Sequence, residues 1–166
     1  MTVSKPVRLG LLMLVCAVFV GIPADVSASR IVYRDITVEQ AASMASMVLV
    51  ATHLATADDH GPVHRFRVER VLVGAGLTTG GEIRVRPAHY TEWTTAMRVA
   101  ETTGMRRSPL IYRIPSPPAL ELQPSARFCL LLDDSSVDPN AMELAVEGGH
   151  LPESMCAQVV AHREGG

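Results

Sequence analysis

The first 28 residues have the composition of an export signal, so the fold must be built from the residues that follow. Lys5 and Arg8 form a basic start, residues 9–22 are apolar apart from two glycines, and Ala28 ends a run of small residues. A signal peptidase reads small residues placed just after an apolar segment. The pattern predicts a signal peptide over residues 1–28 and a single mature domain over residues 29–166.

The apolar segment leaves one alternative open. It is shorter than the ~20 residues that cross a bilayer, which favours a cleaved signal over a retained N-terminal anchor. Cys16 lies inside the apolar run rather than after it, which argues against lipid attachment there. We therefore expect a soluble periplasmic or extracellular product, whose membrane contact is limited to the signal segment before cleavage.

Charge and composition exclude one class of partner. The formal net charge is −2 at pH 7, and aromatic residues make up only 4% of the chain. Proteins that bind nucleic acid need a basic surface, and those that bind single strands add aromatic stacking platforms. A nucleic-acid partner is therefore not expected, and an unknown protein or an anionic ligand is expected instead.

Signal cleavage changes the cysteine count. It removes Cys16 and leaves Cys129 and Cys156. An even pair in an exported protein predicts a disulfide, which would stabilise a loop of this length by about 3 kcal/mol.

The hydrophobic pattern predicts a short helix and several strands. Thr37 and Gln40 have the spacing of a capping box that would start a helix over residues 38–46. Apolar or alternating runs predict strands over residues 47–54, 63–73, 82–86, 126–132 and 142–146. The apolar phase slips near Glu69 and Arg70, which predicts a β-bulge at that point.

Residues 88–124 interrupt the strand pattern and form a predicted insertion. Thr91 is a candidate N-cap for a helix to about Thr103, with Gly104 as its stop. The prolines at 115, 117 and 118 exclude helix and central strand. For residues 152–161 the pattern does not separate helix from strand.

Three segments carry a family resemblance: residues 66–74 (FRVERVLVG), 83–85 (IRV) and 122–132 (LQPSARFCLLL). Their order resembles the netrin-like domains, which are related to the tissue inhibitors of metalloproteinases. The resemblance implies a mainly β, OB-like, five-stranded, partly open barrel with a short N-terminal helix and a helical insertion. A helical C-terminal segment would make the fold α+β.

The chain departs from that family in its cysteines. The metalloproteinase inhibitors chelate zinc with an N-terminal cysteine, whereas this mature chain would begin near Ser29. The resemblance therefore does not imply protease inhibition, and the fold alone does not supply another activity.

The first candidate site is a set of arginines on the predicted hairpin. Alternation places them on the outward face of the sheet, where they would bind an anion or form a solvated surface balanced by Glu69 and Glu82. The set is Arg65, Arg67, Arg84 and Arg86, and Trp93 in the insertion is a further candidate binding residue.

The second candidate site is a cluster of possible metal ligands around a predicted turn. Carboxylate and imidazole groups lie within seven residues, although their spacing matches no standard zinc motif. The cluster is Asp58, Asp59, His60 and His64.

No motif of a nucleophile, a phosphate loop or a cofactor site is present, so neither a catalytic residue nor a cofactor is predicted. The sequence favours an exported, non-catalytic binding protein of unknown ligand. The alternative is an exported metal-binding protein or metal-dependent enzyme that uses the Asp58–His64 cluster.

Overall fold

The computed structural model describes residues 31–58, 62–104, 108–115, 122–134 and 140–165. The predicted signal peptide lies outside these residues. The strands are β1 (Val32–Asp35), β2 (Met47–Asp58), β3 (Pro62–Val73), β4 (Glu82–Arg86), β5 (Leu110–Arg113), β6 (Arg127–Asp133), β7 (Met142–Leu144) and β8 (His150–Pro152). The helices are α1 (Val38–Met44), α2 (Tyr90–Thr103) and α3 (Cys156–Gly165), with one 3₁₀ turn at Glu153–Met155.

Five strands close a barrel in the order β2-β3-β4-β7-β6, and β6 pairs again with β2. The β4–β7 contact is parallel, and the other contacts around the ring are antiparallel. The fold is therefore mainly β, as predicted, but the barrel is closed rather than partly open. Closure follows because β6 pairs with β2 over six residues, from Thr52↔Arg127 to Met47↔Leu132.

The predicted bulge in β3 is confirmed. Val68 pairs with Ala51 and Arg70 with Val50, so Glu69 has no opposite residue. The extra residue restores the inward direction of the apolar side chains, because Val68 and Val71 both pack into the barrel interior.

Strands β2 and β6 are buried on both faces, because helices cover the outside of the barrel there. One apolar cluster fills the barrel and includes Leu49, Phe66 and Leu130. A second lies between the outer sheet face and helices α1 and α3, and it includes Val50 and Leu131. The two-sided burial explains why both strands read as continuous apolar runs.

The predicted disulfide is confirmed, and it joins the sheet to the C-terminal helix. Cys129 on β6 and Cys156 at the start of α3 are both buried, with their Cα atoms 5.4 Å apart. The segment 152–161, which the sequence left open, is helical from Cys156 onwards. The bridge therefore holds α3 against the second apolar cluster.

The helix predicted at residues 38–46 is confirmed and ends earlier, at Met44. Its capping box is formed, since the Thr37 hydroxyl accepts from the Gln40 N–H and the Gln40 side chain accepts from the Thr37 N–H. No helix in the described part of the chain is long and apolar enough to cross a membrane.

Strands β1, β5 and β8 were not predicted from the sequence. Of these, β1 and β5 form a separate parallel pair. The pair is tied to the barrel through Glu147, whose N–H donates to the Tyr112 carbonyl and whose carbonyl accepts from Ile114 N–H. These bonds hold the chain just before β8 in a fixed position.

Candidate functional site

Strand β6 pairs with β2 along one edge, and with β7 and β8 in succession along the other. A cleft of about 130 Å³ opens between β7 and β8 at that second edge. Its walls combine apolar side chains with two imidazoles and one carboxylate. They are His64, Phe66, Val85, Pro87, Leu122, Leu144, Glu147, Gly148 and His150. Concave apolar sites with a few polar groups are the usual form of small-ligand sites.

A tight turn between β7 and β8 shapes one wall of this cleft. Gly148 has φ = +77°, a conformation that favours glycine, and Gly149 donates its N–H to the Val146 carbonyl. A Cβ on Gly149 would come within 2.9 Å of that carbonyl oxygen, so the turn requires glycine there as well. The turn delivers His150 to the cleft.

Behind the cleft, a hydroxyl links two histidines. The Thr56 Oγ1 lies 3.2 Å from His53 Nε2 and 2.9 Å from His64 Nδ1. His53 is only 2% exposed, and its Nδ1 has no hydrogen-bond partner among the described residues. Whichever imidazole accepts the threonine proton, one polar nitrogen of His53 is left unsatisfied in the interior.

The histidines belong to a cluster of aromatic rings at this end of the barrel. Phe66 lies 5.2 Å from the His53 ring and 6.2 Å from the Phe128 ring, and Phe128 lies 6.0 Å from His150. Burial lowers the pKa of His64 below its usual 6.5, and the nearby His53 and His150 lower it further. His64 therefore favours the neutral form at neutral pH.

Three of the four predicted arginines, Arg65, Arg67 and Arg84, lie on the uncovered part of the outward face of the β3–β4 hairpin. Arg65 lies opposite Arg84 in the register. Arg65 forms an ion pair with Glu82, and Arg67 forms one with Glu69 at 3.2 Å.

Arg67 and the hydroxyl of Thr52 also lower the pKa of Glu69, the Thr52 hydrogen bond being the larger cause. The carboxylates that pair with Arg65 and Arg67 thus compete with any anion for those two side chains.

Arg86 also points outward, but the prediction that it is exposed is wrong. Arg86 is 6% exposed because the chain turns after Pro87 and places the Tyr90 ring over its guanidinium, 4.3 Å away. Its register partner on β7, Glu143, is equally buried. Arg86 is part of the joint between the barrel and α2.

Glu143 also corrects the prediction that Thr91 caps α2. The helix starts two residues earlier, with His89 as its N-cap at φ = +61° and without a side-chain cap bond. The Glu143 carboxylate instead accepts from the Thr91 N–H at 3.2 Å and the Thr91 hydroxyl at 2.7 Å. A carboxylate is favourable at the positive end of a helix, so Glu143 replaces the local cap. Gly104 ends the helix as predicted.

Trp93, the remaining predicted binding residue, lies on α2 away from the cleft lining. Its side chain is 43% exposed, and Met97 one turn later is 37% exposed. No residue of α2 is buried. The apolar side chains of Trp93 and Met97 on this helix are thus exposed to solvent.

The structure describes only part of the predicted metal cluster. Asp58 ends β2, and His64 is half-buried at the cleft, whereas Asp59 and His60 lie outside the described residues. Within the part of the chain that is described, no three histidine, cysteine or acidic side chains are placed to hold a metal ion. The structure instead brings His64 together with His53 and His150.

Sequence reasoning missed those two histidines, although one of them carried a signal. His53 shares its parity with Met47, Leu49 and Ala51, so alternation would have placed it inside the barrel. His150 had no such signal, since β8 is only three residues long.

The chain has no match among protein-family models, and no curated protein matches it. The netrin-like resemblance therefore stays a prediction. The candidate site is defined by geometry alone: an apolar cleft with two imidazoles, one carboxylate and a buried unsatisfied nitrogen behind it.

Proposed function

We propose that this chain is an exported, non-catalytic binding protein that takes a small ligand in the histidine-lined cleft. The observation that carries the proposal is the cleft itself, in which His64 and His150 stand among apolar walls. Convergent polar groups with a shifted pKa in an apolar cavity are typical of functional sites.

The barrel supports an OB-like classification within this proposal. Its first three strands form a meander, and the next strand, β6, returns to pair with the first. Such a return is the Greek-key feature of five-stranded OB barrels. A relationship to the netrin-like domains is part of the same proposal, and it rests on the three sequence segments alone.

Two features support export. The N-terminal 28 residues have the pattern of a signal peptide. The Cys129–Cys156 disulfide fits an oxidising compartment, where such bonds persist.

Chemical-shift mapping by NMR on the purified protein tests the site. A library of neutral and charged fragments of about six to ten heavy atoms would be titrated against protein labelled on its histidine and methyl groups. We expect ligand-dependent shifts at His64, His150 and Leu144, and none at the exposed arginine face. Shifts confined to Trp93 and Met97, or no shifts at millimolar ligand, would remove the cleft as the binding site.

A steric variant provides the matched control. Leu122→Trp places a larger side chain at the wall of the cleft and should abolish those shifts, whereas Leu110→Trp enlarges an exposed residue elsewhere. Both variants add the same side chain, so only the blocked cleft distinguishes them. Metal analysis of the same preparations tests the metal-binding alternative: stoichiometric zinc or copper that is lost in His60→Ala would favour it.

A further inference from the structure

The chemistry of the cleft lining selects among possible ligands. Five of the nine described lining residues are apolar, and none of the nine is a lysine or arginine. Glu147 supplies the one carboxylate among the described lining residues, and its side chain is exposed. The fixed charge offered to a ligand is therefore negative.

The His64 imidazole does not reverse that sign at neutral pH. Burial, together with the neighbouring His53 and His150, lowers the pKa of His64. A neutral imidazole carries one bare nitrogen that accepts a hydrogen bond. A neutral His64 thus adds no positive charge to the cleft.

The carboxylate is held in place without being neutralised. The backbone of Glu147 is fixed by its two hydrogen bonds to β5, of 2.9 Å to Tyr112 and 3.0 Å to Ile114. Its side chain forms no ion pair or hydrogen bond with another described residue. Arg113 lies opposite Glu147 in an isolated β-bridge, but its guanidinium forms an ion pair with Asp35 at 2.8 Å. A cation could pair with Glu147 without displacing a partner among the described residues.

Size sets the second criterion. The volume of about 130 Å³ is close to that of engineered apolar cavities of roughly 150 Å³ that accept benzene. The apolar body of a ligand would therefore have about six heavy atoms, with its polar group at the rim.

We propose that the cleft binds a small organic cation, namely an amine on an apolar body of about benzyl or butyl size, with the ammonium group paired to Glu147. This inference rests on the proposed function, because it names the ligand class of the same cleft. It assigns to Glu147 the role of selecting charge and to Phe66, Val85 and Leu144 the role of holding the apolar body.

Three probes of similar shape test the proposal: benzylamine, benzyl alcohol and benzoate. Each is titrated into the full protein near neutral pH, with the shifts of His64, His150 and the leucine methyl groups followed by NMR. We expect benzylamine to bind about threefold more tightly than the alcohol, a ratio suited to one exposed ion pair. Benzoate should bind more weakly than the alcohol.

Two variants separate the carboxylate of the cleft from the general negative charge of the protein. Glu147→Gln should abolish the preference for the amine over the alcohol. Glu101→Gln removes the same charge from exposed helix α2 and should leave the preference unchanged. Because the side chains of Glu147 and Glu101 are both exposed, both variants should fold.

The outcomes distinguish the two proposals. If the alcohol or benzoate binds the cleft as tightly as the amine, the cleft is a binding site but the cation inference fails. The inference also fails if Glu147→Gln keeps the preference for the amine. If none of the three probes moves the cleft signals, the cation inference fails, and the fragment titration decides the binding function on its own.

Discussion

Two of the places where the described residues bury polar side chains are built differently. Under α2, Arg86 stacks on Tyr90 while Glu143 receives two hydrogen bonds from Thr91. At the cleft end, His53 is also buried, but its Nδ1 has no partner among the described residues. A buried polar atom without a partner costs about 1–3 kcal/mol. The first arrangement is the joint between the barrel and α2. The second lowers the stability of the fold, and a ligand-binding role for the cleft would explain why it is present.

The joint is where we expect the largest loss of stability. Glu143→Ala removes the bonds to the start of α2 and leaves Arg86 buried without its register partner. The free energy of unfolding should fall by about 2–3 kcal/mol, as measured by urea denaturation.

The isosteric variant Glu143→Gln is the matched control. It keeps an acceptor oxygen for the Thr91 N–H but removes the charge, so it should lose less than Glu143→Ala. Faster hydrogen exchange at the Thr91 amide should accompany both variants. Equal stability of wild type and Glu143→Ala would mean that the joint contributes nothing, and the contrast with the histidines would disappear.

Acidification should lower the free energy of unfolding through His64. The pKa of His64 is lower in the fold than its usual 6.5, so the unfolded chain binds more protons as the pH falls through that value. This contribution to stability is intact above about pH 6.5 and decreases as the pH drops towards the folded pKa. Urea unfolding at about pH 7.5 and about pH 5.5 measures the change.

His64→Gln tests the assignment of that pH dependence. The variant should show a smaller decrease in unfolding free energy over the same interval, because residue 64 no longer titrates. Glu39 and Glu69 do not interfere, since hydrogen bonds lower their pKa values from 4.5 and place their titration below this interval. An unchanged pH profile in His64→Gln would show that the acid sensitivity arises elsewhere.

Replacing His53 should produce a smaller effect of opposite sign. His53→Leu removes the unsatisfied Nδ1 at the cost of one hydrogen bond to Thr56, whose exposed hydroxyl can bond to water instead. We expect the unfolding free energy to rise by up to about 1 kcal/mol. A loss of more than about 1 kcal/mol would indicate that both ring nitrogens of His53 have hydrogen-bond partners in solution. The histidine cluster would then stabilise the fold in the same way as the joint.

The barrel was largely predictable because its strands are long and their pattern is local. Alternation and apolar runs located β3, β4 and β6, and the phase slip at Glu69 located the bulge. Closure was not predictable, because it depends on which strands meet: β7 is three residues long and pairs in parallel with β4. The parallel pair β1–β5 escaped prediction for the same reason.

The candidate site was less predictable than the fold. His64 was singled out, but its described neighbours His53 and His150 were not. His53 follows from the β2–β3 hairpin, whereas His150 on β8 is far away in the sequence. Similarly, alternation correctly placed Arg86 on the outward face but could not show that Tyr90 would cover it. Local patterns set the direction of a side chain, whereas tertiary contacts set its burial.

Substitution of the exposed arginines should change the free energy of unfolding least. Arg65 and Glu82 form an ion pair with both side chains about half exposed, so water and salt screen their attraction. Arg65→Ala should lower the unfolding free energy by about 0.5 kcal/mol or less, and the double variant with Glu82→Ala should show a coupling of similar size. Urea denaturation with and without added salt measures both quantities. A coupling above about 1 kcal/mol would show that this face stabilises the fold as the Arg86–Glu143 joint does. A weak coupling would mean that burial is the property that separates Arg86 from the other three arginines.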